Sequence, residues 1–138
     1  MKILMVDNDD GRRDTLATAT GADVVRVMPR ALFAAPELLH DVDALAIVPD
    51  SGRDDPWLPR WIVDHLDTLK PACRIAVLGG DYSLALRMND TLHAMTVPRD
   101  HRARMAYHEP TWWRPNCPKT RAGLRKAFGL PVGLEVTP

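Results

Sequence analysis

The sequence predicts a three-layer α/β domain, a doubly wound five-stranded parallel sheet in the order 2-1-3-4-5 between two helical layers. Three observations carry that expectation. Short apolar runs with little polar alternation recur along the chain, as in strands buried on both faces. Segments with apolar residues three and four apart separate them, and this alternation implies right-handed crossovers and parallel strands. The most acidic loop, Asp7-Asn8-Asp9-Asp10, follows the first run, so the first strand must lie centrally for that loop to meet the ends of the third and fifth.

The first strand is Lys2-Ile3-Leu4-Met5-Val6, cut off by Asp7. Residues 11–20 form a modest helix, which Asp9 and Asp10 are expected to cap. Asp23 to Val27 is β-branched and bounded by Gly21 and Pro29. The stretch from Arg30 to His40 contains Pro36, so either a helix starts there or two short turns share it. Ala44 to Val48 makes the third strand, closed by Pro49-Asp50-Ser51-Gly52. Residues 56–70 are the clearest helix, with Leu58, Trp61, Ile62, His65, Leu66 and Leu69 on one side and Asp54 or Asp55 as cap. His65 on that apolar side is read as a structural histidine. Arg74 to Leu78 is the fourth strand, and residues 82–92 form a further helix. Irregular backbone is expected between Asn89 and Arg104, before a fifth strand at Arg104 to Tyr107. The last helix runs from Pro118 to Phe128, turning Ala122, Leu124 and Phe128 inward and Lys119, Arg121, Arg125 and Lys126 to water, with Gly129 as its stop. One domain thus covers residues 1–130, and residues 131–138 form a loosely packed tail.

Composition narrows the function. The 138 residues are 46% apolar and 26% charged, which suits a globular protein, and no stretch approaches the ~18 uncharged apolar residues of a membrane span. Eighteen basic residues balance eighteen acidic ones, so no global field draws nucleic acid or an anionic membrane. The short first run has no signal-peptide pattern, and a cytoplasmic location is expected. Cys73 and Cys117 form no CxxC pair, which argues against a disulfide framework or zinc knuckle. Together with His101 and His108 they are read as packed or inert, since no base stands beside either thiol in the sequence.

The strand ends carry the chemistry: Asp7 and Asn8 after the first, Val48, Pro49 and Asp50 after the third, Gly79 and Gly80 after the fourth, His108-Glu109-Pro110 after the fifth. Lys2 to Asp10, Asp43 to Val48, Ile75 to Gly79 and His108 to Pro110 resemble the receiver domains of bacterial response regulators, which have a CheY- and flavodoxin-like fold. The resemblance implies that Asp7 and Asn8 stand where the family's acids hold Mg²⁺. It also puts Val48 at the phospho-accepting aspartate, Gly79 at the Thr or Ser that senses the phosphoryl group, and Glu109 at the lysine. Phosphoryl transfer to a carboxylate needs a cation to neutralise the incoming oxygens and a lysine to hold the product. Valine accepts no phosphoryl group and glutamate repels one, so the resemblance implies a vestigial pocket of Asp7, Asn8, Val48, Asp50, Gly79 and Glu109. Asp50, two residues past the acceptor position, is the one candidate to replace it, through a bulge at Pro49.

No catalytic residue, resident metal or cofactor is expected; Asp7 and Asp50 are the nearest candidates for a hard cation. Gly79-Gly80-Asp81 lacks a phosphate-loop lysine and reads as a tight turn. Adjacent tryptophans in Thr111-Trp112-Trp113-Arg114 cannot both enter one core, and Trp and Arg dominate binding hot spots. A contact through Trp112, Trp113, Arg114, Arg121 and Arg125, with a protein partner or a second copy, is therefore the expected function, a signalling or regulatory one without phosphorylation. An alternative is a small α/β enzyme. Asp43 to Gly52 with Ile75 to Leu86 is similar to the glutamine-amidotransferase-like group, although Leu78 and Gly79 occupy the elbow where that group has its cysteine. A nucleotide or anion binder is the third reading, because fold does not fix function.

Overall fold

A computed structural model describes residues 1–49, 57–79, 82–95, 105–108, 113–114 and 116–132. The domain is α/β with an all-parallel sheet. Strands β1 (Lys2–Val6), β2 (Asp23–Val27), β3 (Ala44–Ile47) and β4 (Arg74–Leu78) alternate with helices α1 (Arg13–Thr20), α2 (Pro29–Ala34), α3 (Leu58–Asp64) and α4 (Tyr82–Ala94); β5 (Met105–His108) and α5 (Pro118–Ala127) complete the chain. β1 lies between β2 and β3, with Leu4 opposite Val25 on one side and Leu45 on the other. β4 pairs beyond β3, Ile75 against Leu45, and β5 lies along β4 with Ala106 opposite Ala76.

The apolar runs become strands because both faces of the sheet are covered. Leu4, Val6, Leu45, Ile47, Ile75 and Val77 share a core with Leu32 of α2, Leu58 and Ile62 of α3, and Ala85, Met88 and Leu92 of α4. Ile3, Met5, Ala44, Ala46, Ala76 and Leu78 turn the other way and meet Leu16 and Ala19 of α1, Leu124 and Ala127 of α5, and Phe128 just after it. The two-residue period of a strand divides each run between two cores. Alanines dominate β3 on the second face, so α1 and α5 approach the sheet over small side chains. Each fully buried leucine or isoleucine contributes about 1.5–3 kcal/mol.

Several elements depart from expectation at their ends. Residues 56–70 do not make one helix: α3 stops at Asp64, and a 3₁₀ turn, Leu66–Thr68, follows. His65 breaks the run, its backbone at φ −112°, ψ 12°, with Nδ1 at 2.7 Å from the Trp61 carbonyl and its ring stacked on Trp61 at 4.0 Å. Its structural role agrees with the sequence reading, whereas the proposed caps Asp54 and Asp55 lie outside the described residues. Pro36 splits its segment into α2 and the 3₁₀ turn Pro36–Leu39, because a proline lacks the N–H that would continue α2. α4 continues regularly to Ala94, through the first residues of the stretch expected to be irregular. α5 ends one residue before Phe128, and Gly129 takes φ +68° after it.

Candidate functional site

The carboxyl end of β1 is the best-defined polar site among the described residues. Asp7 continues the ladder, its N–H donating to the Val27 carbonyl at 3.1 Å, and is fully buried. A buried carboxylate needs compensation. The chain supplies it locally. Asp9 accepts the Gly11 N–H at 2.9 Å and starts a 3₁₀ turn, Asp10–Arg12, that leads into α1. This turn brings Arg12 back over β1. Arg12 Nε donates to Asp7 Oδ2 at 2.9 Å and Nη2 to Oδ1 at 3.1 Å, a two-pronged fork, and the Asp9 N–H donates to Oδ1 at 3.0 Å. Arg26 Nη1 of β2 donates to the Asp7 backbone carbonyl at 3.0 Å. Arg12 itself is only 15% exposed.

Two cationic side chains thus converge on the residue that the receiver resemblance assigns to a metal. Arg12 meets both carboxylate oxygens from inside the chain, while Asn8 is half-buried beside them. Asp9 caps the 3₁₀ turn rather than α1, whose N-cap is Arg12 without a side-chain hydrogen bond, and Asp10 is the turn's first residue. The expected capping of the first helix by both acids is thus corrected, because the extra turn stands between them and α1. No group of three or more metal-ligating side chains occurs among the described residues.

Val48 is buried at 3% exposure, with its N–H on the Val6 carbonyl and its side chain in the α1–α5 core. The position that the receiver resemblance assigns to the acceptor is therefore part of the hydrophobic interior. Gly79, after β4, gives its carbonyl to the indole Nε1 of Trp113. That ring is half-buried and packs on the core containing Val48 and Leu78. Trp113 therefore serves the fold and does not face outward. Leu78, at the elbow of the amidotransferase-like reading, is fully buried. Asp50, Glu109 and Trp112 lie outside the described residues.

On the α1–α5 face, Arg114 and Arg121 are exposed. Arg125 donates to the Pro131 carbonyl from Nε at 2.6 Å and to the Ala19 carbonyl from Nη1 at 3.2 Å, so it ties α5 to the end of α1 and to the start of the tail. Cys73 is fully buried. Cys117, half-buried at the N-cap of α5, differs. The Thr120 amide and hydroxyl and the Lys119 amide hold its thiol below the ordinary thiol range; partial burial opposes them and Arg114 adds its charge. Sequence reading missed this thiol because its partners lie two and three residues ahead on a helix start, not in a recognisable catalytic pair. It also missed Arg12. The available signal was Asp9-Asp10-Gly11, a turn able to return the next cation to a buried acid.

Comparison with protein-family models, curated proteins and solved structures finds no match to this chain.

Proposed function

We propose that the chain is a receiver-like signalling or regulatory module, of CheY- and flavodoxin-like build with strand order 2-1-3-4-5, that works without phosphorylation and by contact with a protein partner or a second copy. The observation that carries this reading is the Asp7–Arg12 fork. A receiver's acids must be open to a divalent cation, which neutralises the incoming phosphoryl oxygens. Here an internal guanidinium takes both oxygens of Asp7, so its charge is balanced within the chain. Burial of Val48 supports the same reading, because no carboxylate stands at the acceptor position.

The contact surface of the proposal is the loop carrying Trp112 and Arg114 with Arg121 on α5. Trp113 holds that loop to the end of β4 through the Gly79 carbonyl, and an anchored loop binds at lower entropic cost than a free one. The test is incubation with Mg²⁺ and acetyl phosphate, followed by intact-mass measurement. The mass is expected to stay unchanged, and Mg²⁺ alone is expected to leave the melting temperature where it was. A gain of one phosphoryl group located on Asp50 would overturn the proposal and restore the ordinary receiver mechanism.

A further inference from the structure

A cleft of about 350 Å³ lies on the α1–α5 face, and neither Asp7 nor Arg12 is among its lining residues. Its walls are α1, the segment before α5, and α5. Arg114, Arg121 and Arg125 line it, and no aspartate or glutamate is among its described lining residues. The remainder is largely apolar, with Ala19, Ala122 and Val132 among the lining side chains. We infer that this cleft binds a small organic anion, one carboxylate or phosphate group carried on an apolar body about the size of a single aromatic ring.

Size, charge and shape support one another. The volume lies at the lower end of ligand pockets, which run from about 300 to 1,000 Å³. Arg125 is held in place by the carbonyls of Ala19 and Pro131, so its charge stands at a fixed position in the wall. Arg121 makes no ion pair among the described residues and is exposed on a regular helix. A guanidinium presents parallel N–H groups that match the two oxygens of a carboxylate or phosphate. The apolar lining gives an attached hydrocarbon somewhere to leave water, which inorganic phosphate alone cannot exploit. The inference does not rest on the receiver-like reading. It shares Arg114 and Arg121 with the proposed contact surface, but it concerns the monomer and a small molecule, so failure of either leaves the other standing.

Cys117 also lines the cleft and supplies the readout. Because Cys73 is buried, alkylation of the folded protein by neutral iodoacetamide reports on Cys117. The probes are phenyl phosphate and benzoate, with phenol and inorganic phosphate as controls, and amide NMR shifts of Thr15, Thr18 and Arg121 accompany the alkylation rates. At least one aromatic anion is expected to slow alkylation of Cys117 and shift those amides. The better of the two identifies the head group. Phenol and inorganic phosphate are expected to do neither at equal concentration. Arg121→Ala, which places the best helix former at an exposed site, is expected to weaken binding about tenfold with an unchanged melting temperature, and Arg121→Lys less so. The inference is overturned if neither aromatic anion shifts the amides, if phenol binds equally well, or if Arg121→Ala binds as the parent does.

Discussion

Asp7 and Arg12 form a pair whose value is asymmetric. Desolvating both ions is costly, so the pair adds little net stability compared with two apolar residues. Removing one partner is another matter. Arg12→Ala would leave Asp7 buried with only the Asp9 amide on its carboxylate, and a loss on the order of 3 kcal/mol in urea unfolding is expected. Arg12→Lys should recover part of that loss, since an ammonium keeps the charge but cannot make the fork. A loss for Arg12→Ala below about 1 kcal/mol, the range of exposed ion pairs, would mean that water reaches the pair and that Asp7 is open to a cation after all.

The helices flanking this site are bounded by backbone conformation more than by side-chain caps. α1 ends where Gly21 takes φ +69° and donates its N–H to the Ala17 carbonyl at 2.8 Å, while Thr20 Oγ1 donates to the Leu16 carbonyl at 2.7 Å. A Cβ on Gly21 would meet nothing within 4 Å, so Gly21→Ala isolates the left-handed backbone penalty. About 1 kcal/mol of destabilisation is expected in chemical unfolding, without change in the native circular dichroism. An unchanged midpoint would show that α1 can end without the left-handed turn. Gly129 has the same sign of φ but a different surrounding, since a Cβ there would stand 2.5 Å from Arg74 Nη1. Any substitution at Gly129 therefore mixes strain with displacement of that guanidinium, and Gly21 is the cleaner probe.

Across the whole molecule, the amino end of the strands, opposite Asp7, is laced by another acid. The Asp43 carboxylate accepts the Lys2 N–H at 2.8 Å and the Lys70 ammonium at 3.2 Å, and the Asp43 backbone bonds Lys2 and Arg74, so one residue joins β1, β3 and β4. The Lys2 amide and the Lys70 hydrogen bond hold its carboxyl below the ordinary aspartate range, partly opposed by desolvation. A carboxyl depressed in the native state binds its proton more readily in the unfolded chain. Its stabilisation is therefore fully present above the ordinary aspartate range and is lost as the pH falls through the depressed native value. Asp43→Asn is expected to lower the melting temperature at neutral pH and to flatten its decline in acid. Parallel melting curves for parent and variant across the acid range would exclude this linkage.

Parallel strands and intervening helices were legible in the sequence because they follow from local patterning. Runs such as Ile3 to Val6 and Ile75 to Leu78 have no polar face, and only a sheet covered on both sides can bury them. That the position which the receiver resemblance assigns to the acceptor holds no carboxylate was equally legible, since Val48 is a valine wherever it points. What tertiary structure decided is which charges meet. Asp7 could have faced a metal, Asp50 or a cation, and the return of the 3₁₀ turn over β1 chose Arg12. Trp113 could have faced a partner, and the end of β4 supplied a carbonyl to turn it inward. The cleft of Arg114, Arg121 and Cys117 exists only because α1 and α5, about a hundred residues apart in the chain, pack on the same face of the sheet. Hydrophobic period is a property of neighbours in sequence, whereas the pairing of charges and the shape of a cleft depend on side chains that only the completed fold brings within reach.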